Sequence, residues 1–491
     1  MNSKHKQPNK TSGYWLVASS SRGVTVLMVI AFMGIFLIIM GTITSYTFQE
    51  ARYGRALYAR EQALAIAEGG LEYYRWFLAH NPGNLTNGTG LPGPYTYTVN
   101  DPEGGPLGVA SLAIGGNSSC NVIQSIDITS TGRSDLNPGF PRTLAARYMR
   151  TSVAAYSYLL NSNVWAGADR IITGPYFSNG GVRMDGSNNS DVSSAQSTWN
   201  CTSSYGCNPT QSSAPGVVGA GSGSALWRYP VASVDFAGIA VSLANLKTYA
   251  QNNGGLYFAA ASGSVNNRGY HLIFKSNGSV DVYRVTGTTG VIGSANGSTF
   301  VTEYNIIATK TLVGNYTIPA SCSLIFVDDR VWIEGVVKGK VTVVAATPDD
   351  TGTTSDVILP NNITYAAQDG TSGLTAISER NVLIPLNSPD TMEIHGIFSA
   401  QSGYYGRNYY TTSGSNDVPS QYDAYVLQTQ LTTAGTIVSN GRTGTKWNCG
   451  GSYCSGYANR TDSYDQLQAT NPPPFTPSAS TDYSFVLWRE Q

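Results

Sequence analysis

VTVLMVIAFMGIFLIIMGTI, residues 24–43, is apolar and uncharged along its whole length. At ~1.5 Å of rise per residue these twenty positions span about 30 Å as an α-helix, the thickness of a bilayer's hydrocarbon core. The residues ahead of the run include Lys4, Lys6, Lys10 and Arg22 but neither Asp nor Glu, and the next charge comes only after Gln49. The positive-inside rule keeps the start of such a chain cytoplasmic and exports the residues beyond the apolar run. The run is longer than the apolar core of a secretory signal and is not followed by a small-x-small cleavage site, so a plain signal peptide does not fit. No proline lies between Pro8 and Pro82, and the helical pattern continues through SYTFQEARYGRALYAREQALAIAEGGLEYYRWFLA, residues 45–79. There Leu57, Leu64, Leu71 and Leu78 recur every seven residues, with Tyr53, Ala67 and Tyr74 at offsets of three and four. The spacing predicts one helix over 24–79 with a single apolar stripe, weakened at Gly54 and Gly69-Gly70 by roughly 1 kcal/mol each. Such a helix is either a membrane anchor with a stalk or a helix made to pack with related helices.

The rest of the 491 residues leaves room for two or three folded units. Only 12% of residues are charged, while Gly contributes 54 and Tyr 31, a composition that suits a β-rich cell-surface protein better than a cytosolic helical enzyme. With 29 basic and 30 acidic side chains the net charge is -1, which argues against a nucleic-acid partner. Residues 82–106, rich in Pro, Gly and Asn, read as a linker or loop. GVASLAI (108–114), CNVIQSIDITSTG (120–132) and RTLAARYMRTSVAAYSYLL (142–160) offer three or four short strands, enough for a small antiparallel sheet. From Asn161 the texture is short β segments broken by Gly or Asn, as in LIFVDDRVWIEGVVKGKVTVVAA (324–346) and ERNVLIPLNSPDTMEIHGIFSAQ (379–401). Val331 and Ile333, and Val341 and Val343, alternate as one-face side chains do. A right-handed β-solenoid fits this pattern, and a sandwich or jelly roll would produce much the same one. GYHLIFKSNGSVDVYRV (269–285) is a hairpin with an Asn277-Gly278 turn. Leu243, Leu246 and Ala250 stand at helical spacing just before it. The fold class expected is α+β.

Six cysteines in an exported segment favour disulfides. Cys201 with Cys207 and Cys449 with Cys454 are the local pairs, leaving Cys120 with Cys322. Neither C-x5-C nor C-x4-C is a usual zinc spacing. Two acidic groups merit a catalytic reading: Asp328, Asp329 and Glu334, and Asp390, Glu393 and His395. Adjacent Asp328 and Asp329 point to opposite faces of a regular strand, and at a DDR turn they accept backbone hydrogen bonds instead. EF-hand spacing is missing, as are the GxSxG, HExxH, P-loop and dinucleotide patterns. The expectation is no enzyme, no cofactor and no metal. An adhesive surface fits better. SGYYGRNYY (402–410), with Tyr404, Tyr405, Arg407, Tyr409 and Tyr410, and the CGGSYCSGYANR loop (449–460), with Arg460, could stack on sugars or on protein surfaces if exposed.

The basic leader ending in Arg22-Gly23, the hydrophobic helix and QALAIAEGGLE (62–72) together resemble the amino terminus of type IV pilin-like proteins, specifically PilX-type pilus assembly proteins. SNGGVRMDG (178–186), LWRYPV (226–231), GYHLIF (269–274) and SPDTMEIHG (388–396) are similar to the exported body of long PilX-type proteins from uncultured bacterial lineages. The resemblance implies cleavage by a prepilin peptidase between Gly23 and Val24, and methylation of the product. It also implies a cytoplasmic-membrane location through one helix, the bulk of the chain outside the cell, and other pilin-like subunits as partners. Position five of the mature helix, Glu in a major pilin, is Met28 here. That implies a minor subunit, at a pilus tip or priming assembly, which displays its body toward a host-cell or glycan surface. The domain partition expected is 1–23 leader, 24–80 transmembrane and stalk helix, 81–160 small pilin-like β domain, 161–448 β-rich body and 449–491 cysteine loop and tail. The alternatives are an anchored surface adhesin that never polymerises and, more remotely, a glycan-cleaving enzyme.

Overall fold

The computed structural model describes residues 22–350 and 355–491. One helix, Arg22–His80, runs for 59 residues, about 88 Å at the rise of an α-helix. From Val24 to Ile43 its large apolar side chains are all exposed, by 48–72%. Burial begins only at Ala59 and keeps to one stripe: Ala59, Ala63, Ile66, Ala67, Leu71, Tyr74 and Leu78. This corrects the expected stripe at its start, because Tyr53 and Leu57 are exposed and Leu64 is only half-buried. The reason is close backbone approach. A Cβ placed on Gly132 would stand 2.0 Å from the Ala63 carbonyl oxygen and 2.6 Å from the Ala67 nitrogen, so this turn of helix needs alanine where a leucine heptad would hold a strand away.

The chain divides into two compact units. The first holds the helix as far as Gly70, with Thr96–Ser111 and Thr131–Thr143. Within it Ser134 is hydrogen-bonded to Gln62 of the helix. The second holds Leu71–Tyr95, Leu112–Ser130 and Leu144–Gln491. A small antiparallel sheet takes strands Tyr95–Asn100, Pro106–Ser119, Val122–Ser134 and Arg142–Ser152 in sequence order. Its fifth strand, Ser478–Glu490, comes from the far end of the chain and pairs antiparallel with Arg142–Ser152. Leu144, Ala146 and Tyr148 alternate on the covered face, the pattern of a sheet with one side packed.

The body of the second unit is mainly β and built on parallel ladders. Leu324–Val327, Lys340–Ala345, Gly373–Ser378, Thr391–Ala400 and Leu427–Ser439 pair in succession, all parallel. Tyr158–Leu160, Tyr176–Ser178, Val192–Ser194 and Trp227–Arg228 then continue the ladder from Leu427–Ser439. At the opposite end Leu256–Phe258 pairs with Leu324–Val327. One column therefore runs Ile325, Val343, Ala376, Phe398, Ile437, Tyr158, Tyr176, Val192, and these side chains belong to one core. The alternate side chains Leu324, Phe326, Val344 and Ile377 form a second cluster on the other face, with Leu246 and Ala250 of the helix Leu243–Asn252 and the cysteines Cys120 and Cys322. Strands buried on both faces read as unbroken apolar runs, which is why LIFV and VTVVAA carry no polar alternation.

The hairpin pairs Gly269–Phe274 with the start of Ser279–Ser294, and Asn277 Oδ1 accepts from the Ser279 amide at 2.9 Å. Gly278 takes the left-handed φ of +91° that this turn requires. Tyr270, Leu272, Phe274, Val280 and Val282 all point into the main core. The start of 158–228 stacks on strands far from it in sequence, Tyr158–Leu160 on Leu427–Ser439 and Arg170–Thr173 on Ser452–Ser463. The buried Arg170–Asp462 pair fixes that junction: Asp462 accepts from Arg170 Nε at 2.9 Å and from the Tyr158 hydroxyl at 2.7 Å.

Candidate functional site

Gly23 and Val24 lie at the start of the long helix, with nothing within 4 Å of a Cβ on Gly23 and Val24 62% exposed. Residues 1–21 of the expected leader lie outside the described residues. Met28 projects from the bare half of the helix, 58% exposed. All six cysteines are paired: Cys120–Cys322, Cys201–Cys207 and Cys449–Cys454.

The acidic groups are held by structural partners. Asp328 accepts from Lys247 and, at 3.0 Å, from the Tyr257 hydroxyl. Asp329 accepts the Arg330 amide at 2.9 Å and the Ala261 amide at 3.1 Å, and burial raises its pKa. Burial would also raise Glu334, but the hydrogen bond and charge of His271 outweigh it, and the carboxyl is held below the ordinary glutamate value. Asp390 accepts the Thr429 amide and Glu393 meets His395 Nε2 at 2.7 Å. Among the described residues, no group of three or more His, Cys, Asp and Glu side chains is placed to hold a metal ion.

The tyrosine-rich segment is largely inside, contrary to the expectation of a surface loop. Tyr405, Arg407 and Tyr410 are buried, while Tyr404 and Tyr409 are half-buried. Tyr405 is a rung beside Val382 in a parallel ladder. The Arg407 guanidinium donates to the Pro385 and Leu386 carbonyls at 2.6 and 3.1 Å, to Ser388 Oγ at 2.8 Å and to the Tyr425 carbonyl. It also lies over the rings of Tyr410 and Tyr457. An irregular backbone with buried carbonyls needs donors, and arginine supplies several from one side chain. Tyr410 donates to buried Glu303 at 2.8 Å, and burial raises the Glu303 pKa.

What the segment does reach is a cleft of about 730 Å³, where Tyr404 and Arg407 contribute to the lining. Trp165, Arg183, Arg442, Trp447 and Arg460 line it too, from parts of the sequence more than 290 residues apart. Sequence reasoning singled out Arg460 but not the tryptophans, because only the stacking of 164–186 beside 442–460 brings them together. Asp169 in the lining takes two bonds from Arg460, at 2.8 and 2.9 Å, and faces Lys446 at 3.3 Å. Burial by itself would raise the Asp169 pKa, but the Arg460 bonds and the two cationic charges outweigh it and hold the carboxyl below the usual range. A depressed carboxyl contributes stability above its unfolded pKa, about 3.9, and that contribution is lost as pH falls through the lower native value. The melting temperature of the full chain is therefore expected to drop on acidification below about pH 4, and Asp169→Asn should make that drop shallower. Parallel melting curves for the two proteins from pH 5 down to pH 2 would contradict this.

The chain matches no protein-family model and no curated protein. Among solved structures, the crystal structure of the competence-associated pilin ComZ from Thermus thermophilus aligns over 88% of this chain and 97% of that one, at 12% sequence identity and a TM-score of 0.28. A likeness of that size supports neither the fold nor the function, which rest on the chain's own residues.

Proposed function

We propose that the chain is a minor pilin-like subunit which enters or primes a type IV pilus-like fibre through its helix and displays a β-solenoid body outside the cell. The observation that carries this reading is the division of the helix. From Ala59 onward it has a covered face, while from Val24 to Ile43 its apolar side chains are bare all round. At roughly 25 cal/mol per Å² of apolar surface, so long a bare stretch requires a covering of lipid or of other helices. The window of highest hydropathy averages 2.8, ample for a membrane span. A helix that leaves the bilayer for a fibre needs both coverings in turn. Met28 supports a minor role, since a carboxylate in those apolar surroundings is costly without a neighbour's amine to meet. The parallel ladders support a solenoid, because successive coils pair in that way.

A permanently anchored adhesin would bury the same surface in lipid alone, and processing separates the two. In a cell that has a prepilin peptidase, the mature chain is expected to begin at Val24 and Gly23→Trp to leave the leader uncut. Amino-terminal sequencing of membrane-extracted protein decides it. Uncut wild-type chain, or a cut at another bond, would overturn the reading.

A further inference from the structure

We propose that the cleft between Trp165 and Trp447 binds an acidic saccharide, one that carries a carboxylate on its sugar ring. This deepens the display role by naming what the body takes hold of. Its test is a binding measurement that does not depend on whether a fibre forms.

Three observations converge. The first is rigidity of the rims. Ser203 and Ser204 belong to the loop closed by Cys201–Cys207, while Trp447 and Asn448 directly precede Cys449 of the second short disulfide. Arg442 ties the first loop to the opposite rim, donating to the Ser204 carbonyl at 2.6 Å with its guanidinium 4.4 Å from the centre of the Tyr205 ring. Arg183 donates to Cys207 Sγ at 3.3 Å. A site whose rims are fixed in advance loses little entropy when a ligand arrives.

The second is the chemistry of the lining. It contains no Leu, Ile, Val or Met at all. A volume of about 730 Å³ falls within the range of small-molecule sites, roughly 300–1,000 Å³, yet such sites are ordinarily lined by apolar side chains. A ligand with aliphatic anchors would find nothing to hold. The indole N–H groups are already committed, Trp165 to Asp185 at 2.8 Å and Trp447 to the Arg407 carbonyl at 2.9 Å. What the partly exposed indoles offer is therefore ring carbon, which suits the C–H face of a sugar. Exposed Asn448, Ser203 and Ser204 offer neutral donors and acceptors to hydroxyls.

The third is the charge balance. Arg183, Lys446, Arg460 and Arg442 face the cleft against two carboxylates, Asp169 and Asp185. Asp185 is taken by Arg183 at 2.7 Å, and Asp169 is shared by Arg460 and Lys446. Among the described residues no carboxylate pairs with Arg442, whose bonded partner is a carbonyl. The surplus of positive charge selects an anionic ligand, and the planar Arg442 fork matches a carboxylate.

The test is calorimetric titration of the full chain in detergent micelles with hexagalacturonate. The controls are a neutral hexasaccharide of the same length, hexaglutamate and inorganic phosphate. Saturable binding of hexagalacturonate is expected, with the neutral sugar and both non-sugar anions at least about tenfold weaker. Arg442→Ala should weaken binding by about tenfold, with a small drop in melting temperature because the bond to the Ser204 carbonyl goes with it. Trp447→Phe, which keeps an aromatic ring, should bind more tightly than Trp447→Ala. Three outcomes would overturn the proposal. One is no saturable binding of hexagalacturonate together with none of the glucuronate-bearing or sialylated glycans on an array. Another is equal affinity for the neutral sugar or for hexaglutamate. The last is binding unaffected by Arg442→Ala.

Discussion

Replacing both Cys120 and Cys322 by serine is expected to lower the stability of the body by about 5 kcal/mol, the largest single loss the covalent framework can produce. The two residues are 202 positions apart, and the entropy of closing a loop grows with the logarithm of its length. The same arithmetic gives roughly 2 kcal/mol for the pair Cys201 and Cys207, six positions apart. The long bond also sits where packing depends on it. Cys120 and Cys322 are buried with Leu246, Ala250 and Phe326. The Cys120 amide donates to the Ser321 carbonyl at 2.8 Å, and the Cys120 carbonyl accepts from Asn253 Nδ2 at 2.6 Å. Cys120 and Asn121 both hold positive φ, a turn that its surroundings must keep in place. Urea denaturation of the oxidised full chain and of both double-serine variants measures the difference. A loss for the long pair no greater than for the short one would contradict the expectation.

Asp462→Ala is expected to cost about 3–5 kcal/mol, because it leaves the Arg170 guanidinium buried without its anion. Arg170 is 5% exposed and Asp462 3%, so water cannot replace the lost partner. The Tyr158 hydroxyl loses its acceptor as well. These residues join the first strands of the body to its last, so the damage should concentrate at that junction. Hydrogen exchange is expected to accelerate first at Tyr158–Leu160 and Arg170–Thr173, with Leu324–Val327 still protected. Uniform acceleration across the body would show that the pair does not act as a local clasp.

Local signals in the sequence carried much of this architecture. The helix was legible within two residues of either end because no proline interrupts it and the apolar run passes directly into residues at helical spacing. The Asn277-Gly278 turn and the helix from Leu243 were legible because each is specified by a few adjacent residues. What could not be seen was set by partners distant in sequence. Ser478–Glu490 has the residues of a strand, but nothing in them names Arg142–Ser152 as its neighbour. The ladder places Tyr158 beside Ile437, so the order of stacking is not the order of the chain. The same non-local stacking turned SGYYGRNYY inward: Tyr and Arg look like surface residues until backbone carbonyls at 385 and 386 arrive to be satisfied. It also assembled the cleft from Trp165 and Trp447, neither of which carries a motif.

Quantitative mass spectrometry of fibres sheared from cells bearing the native gene bears most directly on the proposed role. The account predicts this chain in the fibre fraction, its first peptide beginning at Val24, at a ratio to the repeating shaft subunit far below one. Near-equimolar content, leader residues on the fibre-borne chain, or its complete absence from fibres while it stays in the membrane would contradict it.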